Sequence, residues 1–254
     1  MNTKELTIIG AGSLGSSFLS AGLICGKMSE TLGFRRIYIY DFDKVEPRNL
    51  LNQMYRPKDV GESKISAIEN IIQQFSESKI IPKNEKVGPK SNLSGVIVTL
   101  VDNMDARRQI FELCRYRADI PYYVDARTGL NEAYVVAFDP RDPDCVERYE
   151  RTLYPQSEAV QAPCADSRSI PTLWSVAGVV QECLRLFKKK PQNAALADKA
   201  TAFIAATIGK VLVRFKTQKV RDTEEFLETI IIFNDLPYLK TQKLYLHTQS
   251  LKKT

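Results

Sequence analysis

The stretch Leu6-Thr7-Ile8-Ile9-Gly10-Ala11-Gly12-Ser13-Leu14-Gly15 carries the clearest signal of fold in the chain. An apolar run typical of a buried strand leads directly into a Gly-x-Gly-x-x-Gly turn. In such a turn Gly10 permits the sharp change of direction, Gly12 lets a phosphate approach the backbone, and Gly15 lets the following helix pack close to the strand. The stretch therefore predicts a strand–turn–helix unit whose amides face a nucleotide phosphate, without specifying the nucleotide.

Strand and helix patterns alternate along the rest of the chain, which predicts an α/β fold. We expect strands at 36–41, 95–101, 121–125, 132–138, 228–233 and 243–247, and helices at 16–32, 64–75, 106–117, 174–187 and 195–215. The segment 141–171 reads as a long loop. The pattern favours a doubly wound, mostly parallel, Rossmann-like sheet over 1–190, with a C-terminal helix and β-strand extension over 191–254 packed on the same domain.

Composition places the protein among globular proteins. It has 254 residues, of which 44% are hydrophobic and 26% charged, and its net charge of +6 is spread widely. We expect no nucleic-acid partner, because no basic stripe is interleaved with aromatic residues, and no membrane association, because no apolar run is long enough to span a bilayer. Five scattered cysteines and a hydrophilic N-terminal segment favour a reducing cytoplasm. The single histidine, His247, argues against a histidine-based catalytic or metal site elsewhere in the chain.

Two acidic residues follow the second predicted strand. Asp41 and Asp43 come directly after the β-rich run 36–40. A carboxylate at this point accepts hydrogen bonds from ribose hydroxyls in dinucleotide-binding folds, so Asp41 is a candidate ribose ligand. The alternative is a pair of acids exposed to water.

A dense polar loop follows, and it suits a triphosphate better than a simple dinucleotide. Asn49, Gln53 and Lys64 supply donors, and a triphosphate requires several donors including at least one cation. Lys64 begins a predicted helix, where a cation is disfavoured unless an anion is nearby. A solvated lysine is the alternative.

The central predicted strand ends at Asp102-Asn103. Asp102 would point into the nucleotide crevice, where a carboxylate suits a magnesium ion that bridges phosphates. Asp102 or Asp105 could instead cap the next helix, and both functions are served if Asp102 binds the metal and Asp105 is the cap.

Together these features resemble the ThiF/MoeB family, the nucleotide-binding core of ubiquitin-activating enzymes. The resemblance covers roughly residues 5–190 and rests on the order and spacing of its motifs. These are the glycine turn, Asp41-x-Asp43, Asn49-Leu50 with Gln53, Gly61-x-x-Lys64, Asp102-Asn103 with Arg107, Val124-Asp125-Ala126-Arg127, and the loop that holds Cys164. The length favours a compact member of prokaryotic or phage type.

The resemblance implies ATP and Mg²⁺ as cofactors, a homodimer, and adenylation of the C-terminal glycine carboxylate of a ubiquitin-like β-grasp protein. It implies that Asp41 holds the ribose and that Asn49, Gln53 and Lys64 address the phosphates. It also implies that Asp43 and Asn103 contact the nucleotide and that Asp102 holds magnesium. Cys164 occupies the position of the cysteine that forms a thioester or persulfide-type linkage in some members, although other members only adenylate. Arg168 nearby could lower its pKa.

Two departures from the family pattern are visible. The family usually has arginine at the position of Asn52, where it helps to hold the ATP phosphates, and Arg48 or Arg56 could replace it. Many members also bind zinc through two Cys-x-x-Cys pairs. Here Cys145 is followed by Arg148 where its partner would stand, so we expect no zinc.

Three hypotheses remain open at this point. The first is an activating enzyme. The second is a catalytically degenerate scaffold that binds a nucleotide or a partner, suggested by Asn52. The third is an NAD-dependent oxidoreductase, suggested by the glycine turn alone, which leaves the loop from Asn49 to Lys64 unexplained.

Overall fold

The computed structural model describes residues 4–25, 28–77, 79–129, 132–159, 166–188, 211–220 and 224–233. Within these ranges no helix combines the length and the apolar character that crossing a bilayer requires. The predicted strand at 243–247 lies outside the described residues, and so does Cys164.

Eight strands form one sheet. They are β1 (Glu5–Ile9), β2 (Arg36–Tyr40), β3 (Ile80–Lys83), β4 (Val96–Thr99), β5 (Tyr122–Thr128), β6 (Glu132–Phe138), β7 (Val211–Val220) and β8 (Glu224–Phe233). The α-helices are α1 (Ser13–Leu19), α2 (Met28–Leu32), α3 (Lys64–Ile72), α4 (Met104–Glu112), α5 (Pro143–Glu150) and α6 (Ile170–Lys188). A π-helical segment, Ser20–Cys25, extends α1, and 3₁₀ turns occur at Pro47–Leu51, Pro57–Asp59, Gln156–Glu158 and Ser167–Ser169.

The spatial order of the strands is β3-β2-β1-β4-β5-β6-β8-β7. Neighbouring strands from β3 to β5 are parallel, whereas β6, β8 and β7 pair in antiparallel fashion. After β1 the chain moves outward to β2 and β3 and then returns to place β4 on the other side of β1. This reversal creates a crevice at the carboxyl ends of β1 and β4, where ligands bind in open α/β sheets. The predicted doubly wound, mostly parallel sheet is confirmed.

Helices cover both faces of the sheet. On one face α1, α3 and α6 pack on β1 and β4 through a core that includes Phe18, Ile68 and Val176. On the other face α4 and α5 enclose an aromatic cluster that includes Phe111 and Tyr149, whose ring centroids lie 4.5 Å apart. The central strands are buried on both faces, which explains their nearly continuous apolar sequences.

Several local predictions were wrong. The expected helix over 16–32 is divided into α1, the π-helical segment and α2. The expected loop over 141–171 contains α5, whose first turn is capped by the side chain of Asp142. Residues 211–215, placed in a predicted helix, belong to β7, whereas β3 was missed because it is short and contains Pro82. Trp174, expected in the core, is 39% exposed.

Candidate active site

A cleft of about 670 Å³ opens at the carboxyl ends of β1, β2 and β4. Most of the site residues predicted from the sequence line it. They are Gly10, Gly12, Asp41, Asp43, Asn49, Gln53, Lys64, Asp102 and Asn103. Gly15 does not line the cleft, because it lies under the turn where α1 meets β1.

Glycine stands at each of the three positions of the turn for a different structural reason. Gly10 has a φ of +100°, and a Cβ there would stand 2.8 Å from the carbonyl oxygen of Leu100. A Cβ at Gly15 would stand 2.0 Å from the carbonyl oxygen of Gly10, whereas a Cβ at Gly12 would meet nothing within 4 Å. Gly10 and Gly15 are therefore required by backbone conformation and close packing, and Gly12 keeps open space beside the cleft.

Contacts from elsewhere in the chain fix the turn. The amide of Ala11 donates to Asp41 Oδ2 at 2.7 Å, and the hydroxyl of Tyr55 donates to the carbonyl oxygen of Ala11 at 2.6 Å. Within the described ranges no acceptor takes the amide N–H of Gly12 or Ser13. The turn is thus rigid and has donors to spare for an anion.

Asp41 joins the glycine turn to the end of β2. Its second oxygen, Oδ1, accepts the amide N–H of Asp43 at 2.8 Å. Burial raises the pKa of the Asp41 carboxyl above its ordinary value, while the hydrogen bonds from Ala11 and Asp43 and the charge of Lys64 act in the opposite direction. A buried carboxylate with two backbone donors is held in one orientation and retains lone pairs for a ligand hydroxyl.

Lys64 is buried rather than solvated. Only 7% of the residue is exposed, and its Nζ lies 2.9 Å from Asp43 Oδ2. Asp43 therefore supplies the anion that a lysine at the first position of α3 needs. The ammonium group is held at the wall of the cleft, and the Asp43 carboxylate beside it is half exposed.

The polar loop is built around backbone contacts. Asn49 Oδ1 accepts the amide N–H of Glu46 at 2.8 Å, which closes the 3₁₀ turn Pro47–Leu51. Gln53 is buried, and its Oε1 has no hydrogen-bond partner among the described residues. An unpartnered buried amide oxygen that lines the cleft is available to a ligand donor.

Asn52, at the position where the resemblance expects arginine, has a structural role. Its Oδ1 accepts from the hydroxyl of Ser13 at 3.1 Å, and its Nδ2 donates to Ser169 Oγ at 3.2 Å. Asn52 thus ties the glycine turn to the start of α6. Of the two candidate replacements, Arg48 lines the cleft, whereas Arg56 is bound to Asp59 and is not part of the lining.

The helix after β4 is capped differently from the prediction. Asn103, not Asp105, caps α4, because its Oδ1 accepts the amide N–H of Ala106 at 2.8 Å. Asp102 is exposed at the cleft, and no side chain or amide in the described part of the chain hydrogen-bonds to it. Its carboxylate therefore fits the oxygen-ligand chemistry of a magnesium site. No group of three or more His, Cys, Asp or Glu side chains is assembled within the described ranges.

The wall opposite the polar loop was missed by sequence reasoning. Tyr154 and Gln156 line the cleft from the segment that follows α5. Gln156 Oε1 accepts the amide N–H of Met104 at 2.6 Å, which attaches this wall to the start of α4. Because 141–171 reads as a featureless loop, its sequence gave no sign of this contact.

A buried charge cluster lies under the same wall. Asp125 is fully buried and pairs with both Arg107 and Arg127. Arg127 in turn donates to the carbonyl and hydroxyl oxygens of Thr152 at 2.8 and 2.9 Å. Burial lowers the pKa of Arg107 to about 10, and the charge of Arg127 contributes to the shift. This cluster explains the Val124-Asp125-Ala126-Arg127 motif as a clamp between β5 and the wall of the cleft.

The fold and the cleft define a class of protein: a Rossmann-like α/β domain with a ligand cleft at its topological switch point. The family model described as ThiF family matches residues 1–238, and the chain belongs to that family.

Curated relatives include ubiquitin-activating enzyme E1 1 of Candida albicans (strain WO-1), which is 28% identical over an alignment of 181 residues that covers 66% of this chain and 17% of the relative. Another is the NEDD8-activating enzyme E1 catalytic subunit of Arabidopsis thaliana, 30% identical over an alignment of 112 residues that covers 42% of this chain and 23% of the relative. The chain thus corresponds to about a fifth of the length of these relatives.

Solved structures show the same fold at low sequence identity. E. coli MccB with AMPCPP and MccA is 16% identical, with a TM-score of 0.54, over 74% of this chain and 57% of that one. The E. coli tRNA N6-threonylcarbamoyladenosine dehydratase TcdA with AMP is 19% identical, with a TM-score of 0.51, over 74% of this chain and 88% of that one.

Proposed function

We propose that this protein uses ATP to adenylate the C-terminal glycine carboxylate of a ubiquitin-like β-grasp protein. The observation that carries the proposal is the cleft itself, where Asp41, Lys64 and Asp102 come together beside a rigid glycine turn. Two relatives named as activating enzymes for ubiquitin and NEDD8 support the substrate class. Structures of the same fold that hold AMP or AMPCPP support the nucleotide.

The reaction would require positioning rather than proton transfer. A carboxylate oxygen of the substrate attacks the α-phosphorus of ATP, the bond from that phosphorus to the bridging oxygen breaks, and pyrophosphate leaves. The attacking carboxylate is already ionised at neutral pH, so no general base is needed. The cleft has to hold the two anions together and neutralise the charge of the leaving group.

Each part of the cleft has a place in this scheme. Asp41 would accept the ribose hydroxyls, while the amides of Gly12 and Ser13 face the phosphates. Lys64 would neutralise phosphate charge, and Asn49, Gln53 and Asn103 would supply further polar contacts. Asp102 would hold a magnesium ion, which supplies charge neutralisation on the phosphate oxygens when bound.

An exchange assay tests the proposal. Radiolabelled pyrophosphate should enter ATP only when a glycine-tailed β-grasp protein is present. The substitution Asp102→Asn should lower the exchange rate about 100-fold or more, since it removes charge needed in the transition state. Asp105→Asn is the matched control, because Asp105 is an exposed acid on the first turn of α4 that does not line the cleft.

Two results would count against adenylation. If no glycine-tailed partner supports exchange while ATP still binds, the degenerate scaffold becomes the better description. If Asp102→Asn exchanges as fast as Asp105→Asn, the cleft has been assigned the wrong chemistry.

Further features belong to the same proposal. We infer an adenylation domain over 1–190 and a homodimer from the family resemblance, and a cytoplasmic location from the few, scattered cysteines. We also infer that the Cys164 thiolate then attacks the acyl carbon of the adenylate, which breaks the bond to the phosphate oxygen, releases AMP and leaves the substrate bound as a thioester. A thiol-sensitive adduct that forms with wild type and not with Cys164→Ala would support the last step, and equal adducts in both proteins would exclude it.

A further inference from the structure

Five positively charged side chains line the cleft in the described part of the chain: Arg48, Lys64, Lys86, Arg107 and Arg127. ATP carries several negative charges, and a cation can bind its terminal phosphates only if its contacts within the protein allow it to turn toward them.

Two of the arginines are already committed to the protein. Arg107 is 2% exposed and is bound to Asp125 and to the carbonyl oxygen of Val101. All three nitrogens of the Arg127 guanidinium donate within the clamp to Asp125 and Thr152. Breaking a buried pair of this kind is costly, so neither side chain is free to move to a ligand.

Lys86 lies on the wrong side of the cleft for phosphate. It follows β3, which is separated from β1 by β2, while the glycine turn comes directly after β1. Lys64 faces the correct side, but it is a single ammonium group held by Asp43.

Arg48 combines the right location with a weak attachment. It belongs to the 3₁₀ turn Pro47–Leu51, and the next residue after that turn, Asn52, is bonded to Ser13 in the glycine turn. Its one partner in the described part of the chain is Glu46, at 2.5 Å, and the two side chains are 66% and 52% exposed. An ion pair this exposed is worth little, so a multiply charged phosphate can replace the carboxylate.

We propose that Arg48 binds the terminal phosphates of ATP by exchanging its partner Glu46 for them. A guanidinium presents parallel donors that match two phosphate oxygens. Glu46 pairs with Arg48 when ATP is absent, so the phosphates of ATP must displace the Glu46 carboxylate. The inference deepens the proposed function, because it rests on ATP being the nucleotide.

Calorimetric titration with AMP and with a non-hydrolysable ATP analogue tests the exchange, since only the analogue carries terminal phosphates. Arg48→Ala should weaken binding of the analogue about tenfold and leave AMP affinity unchanged. The affinity of Arg48→Lys for the analogue should lie between those of wild type and Arg48→Ala. Lys58→Ala is the control, because it removes the same charge from an exposed position in the following 3₁₀ turn, outside the cleft.

A substitution at Glu46 should instead strengthen binding of the ATP analogue. Glu46→Gln removes the competing charge. The two hydrogen bonds that the Glu46 backbone makes with Asn49 persist, and glutamine keeps a side-chain oxygen that can accept the amide N–H of Asn49, as the Glu46 carboxylate does in the capping box. Affinity for the analogue should rise by up to about fivefold, again without a change for AMP.

The outcomes separate the inference from the proposed function. The role of Arg48 is overturned, and the proposed function stands, if wild type binds the analogue and Arg48→Ala binds it equally well. The same holds if Arg48→Ala loses affinity for AMP to the same extent as affinity for the analogue. If wild type binds neither nucleotide, both are overturned.

Discussion

Replacing Gly15 by alanine should destabilise the whole fold, whereas the same change at Gly12 should affect only ligand binding. The new Cβ at Gly15 would lie 2.0 Å from the carbonyl oxygen of Gly10 and 2.7 Å from its carbonyl carbon. Real Cβ atoms essentially never approach closer than 3.0 Å, so α1 and the end of β1 would have to separate by about 1 Å. Both clashing atoms belong to the backbone, which has no alternative rotamer.

The loss of stability in Gly15→Ala comes from overpacking against backbone atoms that cannot move aside. We expect the free energy of unfolding to fall by about 3 kcal/mol, the upper part of the range for inserting a methyl group into a packed core. For a chain of this size that corresponds to a fall of roughly 6–12 °C in the midpoint of thermal unfolding. Gly12→Ala is the matched comparison, because its φ of −73° suits alanine and nothing lies within 4 Å of the new Cβ.

Thermal unfolding followed by circular dichroism, with nucleotide titration of the same samples, distinguishes the two variants. Gly15→Ala should melt early, and Gly12→Ala should melt with wild type yet bind nucleotide more weakly, since its methyl group stands beside the cleft. If Gly15→Ala melts within 2 °C of wild type, or Gly12→Ala is equally destabilised, the assignment of the two glycines is wrong.

Two further predictions follow from burial. Because burial raises the pKa of Asp41, its ionised form is lost on acidification at a higher pH than for a solvated aspartate, so nucleotide affinity should decline with a midpoint above 3.8. Calorimetry between about pH 4 and 8 should show this decline in wild type, and an identical profile in Asp41→Asn would contradict it. Burial also raises the pKa of Cys114 and of Cys183 to about 12, so iodoacetamide at neutral pH should label neither thiol until the protein is unfolded. Peptide mass mapping checks this, and rapid labelling of either cysteine in the native protein would contradict the burial of that thiol.

The sequence predicted the parallel half of the fold well, because its signals are local. β1, β2 and β4 are short apolar runs that end in a turn or an acid, and α3 and α4 show helical periodicity. In the antiparallel half the sequence predicted β6 with its observed bounds but missed α5. α5 begins at Pro143 in a stretch rich in charge, and its apolar side chains, Cys145, Val146 and Tyr149, are recognisable as one face only once β6 is in place.

In the candidate site, too, the residues that the sequence predicted are those with a local signal. By itself the sequence determined the glycine turn, the acids after β2 and β4, and the lysine at the start of α3, since each depends on the type of residue at a strand or helix end. The tertiary structure determines which polar and charged groups at the cleft are held by other parts of the protein. It pairs Lys64 with Asp43, commits Asn52 to Ser13 and Ser169, and makes Asn103 the helix cap. It leaves Arg48 held only by the exposed Glu46, and Asp102 without a partner among the described residues. These partners come from segments up to 117 residues apart, and no local pattern encodes contacts formed only when the sheet is assembled.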